Sequence, residues 1–270
     1  MKPKFSSGIF LNITSLDRKK WREDIRFIKF LKGVQHVEVW LEEIEINLSD
    51  LKFLKKELKK YRIIVHAPFI NLSLVSSHQD INETTVEILK KTINKAYFLG
   101  SKITTIHAGG YPLFMNKQEV KNIFIKNYSK ILNYAKKKKI EIDLENISKN
   151  KTTQISYPVK LAEMNSIKKL IPEIKFTLDV GHCIQNNDNS FLSFIKKNFN
   201  RINNIHIHNA ETDKQAHFGL NYKGDFNWRP FLDNLVKIGY DGFLTVEILE
   251  KDEIKKSWNL LQTKLEEYKK

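Results

Sequence analysis

Eight short apolar segments rich in β-branched residues recur along the 270-residue chain, and segments with helical periodicity separate them. The predicted strands cover residues 9–13, 36–41, 63–67, 103–108, 140–145, 175–179, 204–208 and 243–248. Because neighbouring parallel strands need a crossover, usually a helix, this alternation predicts a parallel sheet. Eight such units in a chain of this length predict a single (β/α)8 TIM barrel that forms one domain over residues 1–270.

The segments between the predicted strands have apolar residues at helical spacing. One such pattern spans residues 86–97, and Gly100 follows it where many helices end in a left-handed residue. A second pattern spans 120–135, and a last helix is predicted from about 252 to 268. No G-x-G-x-x-G motif follows the first strand, which argues against a doubly wound nucleotide-binding sheet.

The formal net charge of +15 raises the question of a phosphate-rich partner such as nucleic acid. Only six of the 46 Lys and Arg residues are arginines. Arginine is the side chain that forms bidentate hydrogen bonds with phosphates and with guanine edges. Many lysines stand in helical segments, as in 136–139, where they suit a solvated face. We interpret the charge as a bias of composition that also suits an anionic substrate, with nucleic acid as the less favoured alternative.

The single cysteine, Cys183, excludes an internal disulfide and a structural zinc site made only of cysteines. No apolar stretch approaches the roughly 20 residues that cross a membrane. We therefore expect a cytoplasmic protein without a membrane partner, and the oligomeric state stays open.

Six consecutive predicted strands, the third to the eighth, end in a histidine or a carboxylate. The side chains concerned are His66, His107, Glu145, Asp179 with His182, His206 with His208, and Glu247. In (β/α)8 barrels the C-terminal strand ends surround the active site, so these side chains should converge at one mouth. Two carboxylates about 4 Å apart repel by roughly 4 kcal/mol at an effective dielectric constant of 20. Their convergence therefore predicts a bound cation or the uptake of protons.

Three carboxylates with neutral imidazole nitrogens suit a divalent metal ion such as Mn²⁺, Mg²⁺, Co²⁺ or Zn²⁺. The alternatives are a polar network with shifted pKa values, and a degenerate site in a barrel that has no catalytic activity.

At these strand ends the sequence resembles the xylose isomerase-like TIM barrel superfamily. This superfamily contains sugar and sugar-phosphate isomerases and epimerases together with endonuclease IV-type apurinic endonucleases. The phrases "VHAPF", "IHAGG", "DLENIS", "LDVGHC", "HIHN" and "TVEIL" occur in order, one to a strand. In the epimerase branch a Glu, an Asp, a His and a Glu after strands five to eight hold the metal. The resemblance thus implies Glu145, Asp179, His206 and Glu247 as the metal ligands. His208 lies on the same face of its strand as His206, so the register of the strand does not exclude it as the ligand instead.

The resemblance leaves two activities open. The endonuclease branch binds three zinc ions and uses further histidines, for which His66, His107, His182 and His217 are candidates. Its Asp-x-His loop pair is incomplete because Gln215 stands at the Asp position. "LDVGHC" and the run "GDFNWRPFLDNLVKIGYDGFLTVEIL" resemble the isomerase branch instead. We therefore expect a sugar or sugar-phosphate isomerase or epimerase, with a zinc-dependent AP endonuclease (family 2) acting on DNA as the alternative.

The favoured activity moves a proton α to a carbonyl through an enediolate, which a divalent ion would stabilise. Glu145 and Glu247, on strands three apart, are the expected general base and acid. The five additional histidines are expected to bind substrate or further metal ions: His66, His107, His182, His208 and His217.

Overall fold

A computed structural model describes residues 2–13, 17–42, 46–149 and 154–270. Within these ranges the strands are β1 (Ser6–Asn12), β2 (His36–Trp40), β3 (Arg62–His66), β4 (Ile103–Ile106), β5 (Gly110–Pro112), β6 (Glu141–Glu145), β7 (Gln154–Ser156), β8 (Lys175–Asp179), β9 (Ile202–Ile207) and β10 (Phe243–Val246). The α-helices are α1 (Arg18–Phe30), α2 (Leu48–Glu57), α3 (Gln79–Leu99), α4 (Lys117–Lys138), α5 (Leu161–Leu170), α6 (Val180–Gln185), α7 (Phe191–Asn198), α8 (Trp228–Ile238) and α9 (Lys251–Glu267). Among the described residues, no helix has the length and apolar character needed to cross a membrane.

Eight of the strands close into a parallel barrel in the order β1-β2-β3-β4-β6-β8-β9-β10. Every neighbouring pair is parallel, including the closing pair β1–β10. The predicted (β/α)8 TIM barrel is therefore confirmed, and β6, β8, β9 and β10 are the predicted strands five to eight. The strands β5 and β7, three residues each, pair antiparallel outside the barrel and were not predicted. Segments this short are below the length at which an alternating apolar pattern can be recognised.

Helix ends agree with the local sequence signals. Helix α3 ends at Leu99, and Gly100 adopts a left-handed φ of 84°. Its amide donates to the carbonyls of Ala96 and Tyr97, which a left-handed residue makes possible at a helix end.

Three barrel strands end one residue before the predicted functional side chain. Strand β4 ends at Ile106, β9 at Ile207 and β10 at Val246. His107, His208 and Glu247 therefore lie at the starts of the following loops, at the C-terminal mouth of the barrel.

The interior of the barrel contains a chain of polar side chains. Ser6 donates to Nδ1 of His36 at 3.0 Å, and Nε2 of His36 donates to the Thr245 hydroxyl at 2.9 Å. Thr245 in turn donates to the Asn204 carbonyl oxygen at 2.9 Å, and the Asn204 amide donates to Glu38 at 2.7 Å. All five residues are buried, and hydrogen bonding between them offsets the cost of placing polar groups inside the barrel.

Candidate metal centre

The four side chains predicted as metal ligands converge at the C-terminal mouth of the barrel. Glu145 ends β6, Asp179 ends β8, His206 belongs to β9 and Glu247 follows β10. One potential ligand atom from each lies within 4.8 Å of every other, and all four residues are buried. Barrel closure thus brings together residues that are up to 102 positions apart in the chain.

The His206 imidazole lies at the centre of this cluster. Its Nδ1 is 2.9 Å from Glu247 Oε2, 3.2 Å from Glu145 Oε1 and 3.8 Å from Asp179 Oδ2. Its Nε2 is 2.8 Å from Glu38 Oε2 on the opposite side of the ring. Both ring nitrogens therefore face carboxylate oxygens.

The electrostatics of the metal-free cluster follow from this arrangement. Burial lowers the pKa of His206, but the charges of Glu38, Glu247 and Glu145 outweigh it and raise this pKa well above its usual value. Burial likewise opposes ionisation of Glu145 and Glu247, yet His206 and other neighbouring histidines hold their pKa values well below the usual range. Without a cation, a protonated His206 is the positive charge that the carboxylates share.

The residues fit a divalent ion. Glu247 Oε2 is a buried oxygen that has no hydrogen-bond partner among the described residues, although His206 Nδ1 is only 2.9 Å away. A buried carboxylate oxygen needs a partner, and a divalent ion would supply one. Three carboxylate oxygens and one imidazole nitrogen form a donor set that Mn²⁺, Co²⁺, Zn²⁺ and Mg²⁺ accept.

A second cluster shares Glu145 with the first. Nε2 of His66 and Nε2 of His107 each lie 3.1 Å from Glu145 Oε2, whereas Glu145 Oε1 faces His206. Burial lowers the pKa of His66, but its hydrogen bond to Glu145 and the Glu145 charge reverse that effect and raise it. Burial dominates at His107 and lowers its pKa. Glu145 thus bridges two groups of potential ligands.

A third cluster consists of His182, His208 and His217. Nε2 of His182 lies 3.2 Å from Nε2 of His217, and the rings of His208 and His217 stack with 4.1 Å between their centroids. Burial, followed by the charge of His208, lowers the pKa of His217 to about 4. The sequence pattern predicted that a third zinc site would be incomplete, because Gln215 stands where the endonuclease branch has an Asp ligand. Gln215 is exposed. The structure brings His208 into this cluster instead.

Both ring nitrogens of His208 have partners. The backbone amide of His217 donates to Nδ1 at 2.9 Å, and Nε2 lies 3.0 Å from Asp179 Oδ2. His208 is fully buried and contacts Gly181, where an added Cβ would lie only 1.9 Å from the imidazole. The glycine of "LDVGHC" therefore leaves room for this ring.

A cavity of about 870 Å³ opens above the three clusters. His107, His182, His217 and Glu247 line its floor. Seven of its lining residues are Ser, Asn or Gln, namely Asn71, Ser73, Ser76, Ser77, Ser148, Gln154 and Ser156. Among the described residues that line it, Lys149 is the only lysine and none is an arginine. The cavity wall therefore offers many partners for hydroxyl groups and few for phosphates.

Sequence reasoning missed two features beside the centre. Glu38 lies below His206, in the middle of β2, and was not identified because it does not end a strand. The segment "HVEVW" contains the signal, since Glu38 shares the inward-facing register of His36 and Trp40 within an apolar strand. Phe69, which follows β3, stacks on Trp40 with centroids 5.1 Å apart and on His107 at 4.3 Å.

The fold and the site define a (β/α)8 barrel with a centre rich in carboxylates and histidines at its C-terminal mouth. The chain belongs to the xylose isomerase-like TIM barrel family, whose family model matches residues 11–264. The resemblance drawn from the strand-end motifs is thereby confirmed.

Individual relatives are found among curated proteins and among solved structures. Uncharacterized protein MJ1311 of Methanocaldococcus jannaschii is 28% identical over 283 residues, covering 94% of each chain. A probable endonuclease 4 of Thermotoga petrophila is 29% identical over 151 residues, which are 53% of this chain and 50% of that protein. Among solved structures, a D-tagatose 3-epimerase-like protein has a TM-score of 0.83 at 24% identity and covers 98% of both chains. This structural likeness establishes the shared fold.

Proposed function

We propose that the protein is a divalent-metal-dependent isomerase or epimerase of a sugar or sugar phosphate. The observation that carries this proposal is the group Glu145, Asp179, His206 and Glu247, whose potential ligand atoms lie within 4.8 Å of one another. The cavity above this group, with its seven Ser, Asn and Gln residues, suits a ligand rich in hydroxyl groups. The shared fold with a D-tagatose 3-epimerase-like protein supports the same class of substrate.

The four residues named above would hold the ion, which when bound would polarise a substrate carbonyl as a Lewis acid. Glu247 is ionised at neutral pH because, although burial opposes this, His206 and His217 hold its pKa low. It also lines the cavity, so it can accept a proton from the carbon next to the carbonyl, leaving an enediolate.

Glu145 is the proposed general acid that completes the proton transfer. Because its own pKa is held low, it must first receive the proton that it delivers, and His66, hydrogen-bonded to Glu145 Oε2 and with a raised pKa, can supply it. Glu145 is fully buried beneath the cavity, so any proton it delivers must pass through a neighbouring group. His107 lies 3.1 Å from Glu145 Oε2 and lines the cavity, which makes it a suitable intermediary. His182 and His217, which also line the cavity, would orient substrate hydroxyls, while the fully buried His208 would act on Asp179.

The proposal is tested by hydrogen exchange in D₂O. Purified protein with Mn²⁺ or Co²⁺ is incubated with a panel of ketohexoses, pentuloses and their phosphates, and deuterium at the carbon next to the carbonyl is followed by NMR. We expect metal-dependent exchange with at least one substrate, and loss of exchange when Glu247 is replaced by Gln. Exchange that persists in Glu247→Gln, or the absence of exchange with every substrate of the panel, would reject the assignment.

A second candidate, a zinc-dependent AP endonuclease, is favoured by one specific observation. Two further potential ligand groups, His66–His107–Glu145 and His182–His208–His217, flank the first. Clustered metal ions can stabilise both the attacking and the leaving oxygen in phosphodiester hydrolysis. The scarcity of basic side chains among the described cavity residues argues against this candidate, because DNA binding relies on Lys and Arg contacts to phosphates. Zinc-dependent cleavage of a duplex with one abasic site would establish it in place of the isomerase.

A further inference from the structure

We infer that Glu38 is a positioning residue that holds His206 with Nδ1 directed at the metal centre. This inference rests on the metal site of the proposed function, but it concerns a residue that the strand-end motifs do not include. Glu38 lies in the middle of β2, inside the barrel and fully buried, and it does not line the substrate cavity.

The Glu38 carboxylate accepts hydrogen bonds from three neighbouring side chains. The Thr105 hydroxyl donates to Oε1 at 3.0 Å. The Asn204 amide donates to Oε2 at 2.7 Å, and His206 Nε2 lies 2.8 Å from the same oxygen. A carboxylate offers only acceptor oxygens to such donors and has no proton of its own to donate.

The partners of Glu38 are themselves held in place. Asn204 accepts from Thr245 at 2.9 Å through its carbonyl oxygen, which fixes the direction of its amide towards Glu38. The Thr105 hydroxyl is also 2.9 Å from the Thr177 hydroxyl. The Oε2 side of the carboxylate, which faces His206, is thus held through Asn204 and Thr245, whereas Thr105 contacts only Oε1.

The consequence for His206 follows from the donor and acceptor roles. The Asn204 amide nitrogen also lies 3.0 Å from His206 Nε2, but its shorter contact, at 2.7 Å, is with Glu38 Oε2. Because the Glu38 carboxylate can only accept, we place the ring proton on Nε2, and in the neutral imidazole Nδ1 then carries the lone pair. Nδ1 is the nitrogen that faces Glu145 and Glu247, at 3.2 and 2.9 Å. A carboxylate behind a ligating histidine commonly fixes its tautomer and ring orientation in this way.

The test compares metal affinity in Glu38→Gln and in a matched control, Thr105→Val. The first change removes the negative charge under His206 but keeps the shape of the side chain. The second removes a different hydrogen bond to the same carboxylate and leaves the contact between Glu38 and His206 intact. Co²⁺ titrations followed by calorimetry and by the visible absorption of the bound ion report binding without any activity assay.

We expect Glu38→Gln to weaken Co²⁺ binding by roughly 10–100-fold, the usual effect of losing such an outer partner. Thr105→Val should bind Co²⁺ within about 3-fold of the wild type, although both variants alter the barrel interior. Wild-type affinity in Glu38→Gln, or an equal loss in both variants, would overturn the inference.

A second measurement needs no variant and stands even if Glu38→Gln does not fold. Two-bond proton–nitrogen NMR spectra of the ¹⁵N-labelled, zinc-loaded wild type identify which nitrogen of His206 carries the proton. We expect the proton on Nε2 and the metal on Nδ1, and coordination through Nε2 would overturn the inference. Metal binding with this tautomer but without proton exchange in any sugar would reject the isomerase while leaving the role of Glu38 intact.

Discussion

Replacing Glu247 by Gln should have a small effect on stability in the absence of a divalent ion and a large one in its presence. In the metal-free protein the Glu247 carboxylate is repelled by Glu145 and Asp179 and attracted by protonated His206. With an ion bound, the same carboxylate becomes a ligand. The variant therefore separates the electrostatic contribution of Glu247 from its contribution as a ligand.

The magnitudes follow from the distances. The ligand atoms lie within 4.8 Å of one another, so each carboxylate pair repels by at least about 3.5 kcal/mol at an effective dielectric constant of 20. Glu247 takes part in two such pairs, roughly 7 kcal/mol, against an attraction of about 6 kcal/mol to His206 at 2.9 Å. These contributions nearly cancel. The low pKa of Glu247 indicates that its charge is favourable overall once all neighbours are included. We therefore expect the free energy of unfolding of the metal-free variant to be within roughly 2 kcal/mol of the wild type, on the side of lower stability.

The assay is thermal unfolding with EDTA and with Co²⁺. An ion at 100 times its dissociation constant stabilises the wild type by about 2.7 kcal/mol, which corresponds to a rise in Tm of roughly 5–10 °C. Glu247→Gln should lose most of that rise. Glu250→Gln is the matched control, because Glu250 is exposed three residues further on and should keep it. A metal-dependent rise in Glu247→Gln equal to that of the wild type would refute the reasoning.

The remaining predictions concern pH, packing and the cavity. Burial, with the charges of Arg62 and His206, lowers the pKa of His36 from 6.5 to about 3, so protons bind preferentially to the unfolded chain between these values. The free energy of unfolding should therefore fall as the pH drops through this window, by up to about 1.4 kcal/mol per unit, and urea titrations should show a shallower pH dependence in His36→Gln. Gly181→Ala should cost roughly 1–3 kcal/mol of stability, measured by the same titrations, because its methyl group would overlap the His208 ring. Phe69→Ala should raise KM for the substrate more than it lowers kcat, since Phe69 lines the cavity wall and is linked to the proposed ligand Glu145 through His66 and His107.

The strand pattern was sufficient to predict the barrel and to place the strand-end histidines and carboxylates at one mouth, whereas the family resemblance implied which four of them are the ligands. Alternating periodicity identifies strands, and the C-terminal ends of parallel strands meet at one mouth, so Glu145 and Asp179 could be placed together from sequence. The alternating register of β2 places Glu38 inside the barrel, but its role could not be predicted, because that role depends on the side chain that faces it across the barrel. The contact between Glu38 and His206 joins residues 168 positions apart.

The hydrogen-bond partners of His208 could not be predicted from the sequence either. The amide of His217 points at His208 Nδ1 from a loop in which His217 itself has a left-handed φ of 64°. Such a conformation is uncommon for a residue other than glycine, and the sequence has no local signal for it. The third cluster therefore depends on loop geometry that only the folded chain reveals.

Metal content and stoichiometry of the wild type, purified without chelators and measured by elemental analysis, test the central claim most directly. The proposed isomerase requires one Mn²⁺, Mg²⁺ or Co²⁺ per chain, and this ion should be lost in Glu247→Gln. Two or three zinc ions per chain would contradict it in favour of the nuclease. A protein that binds no divalent ion, even when one is added in excess, would contradict the metal centre itself.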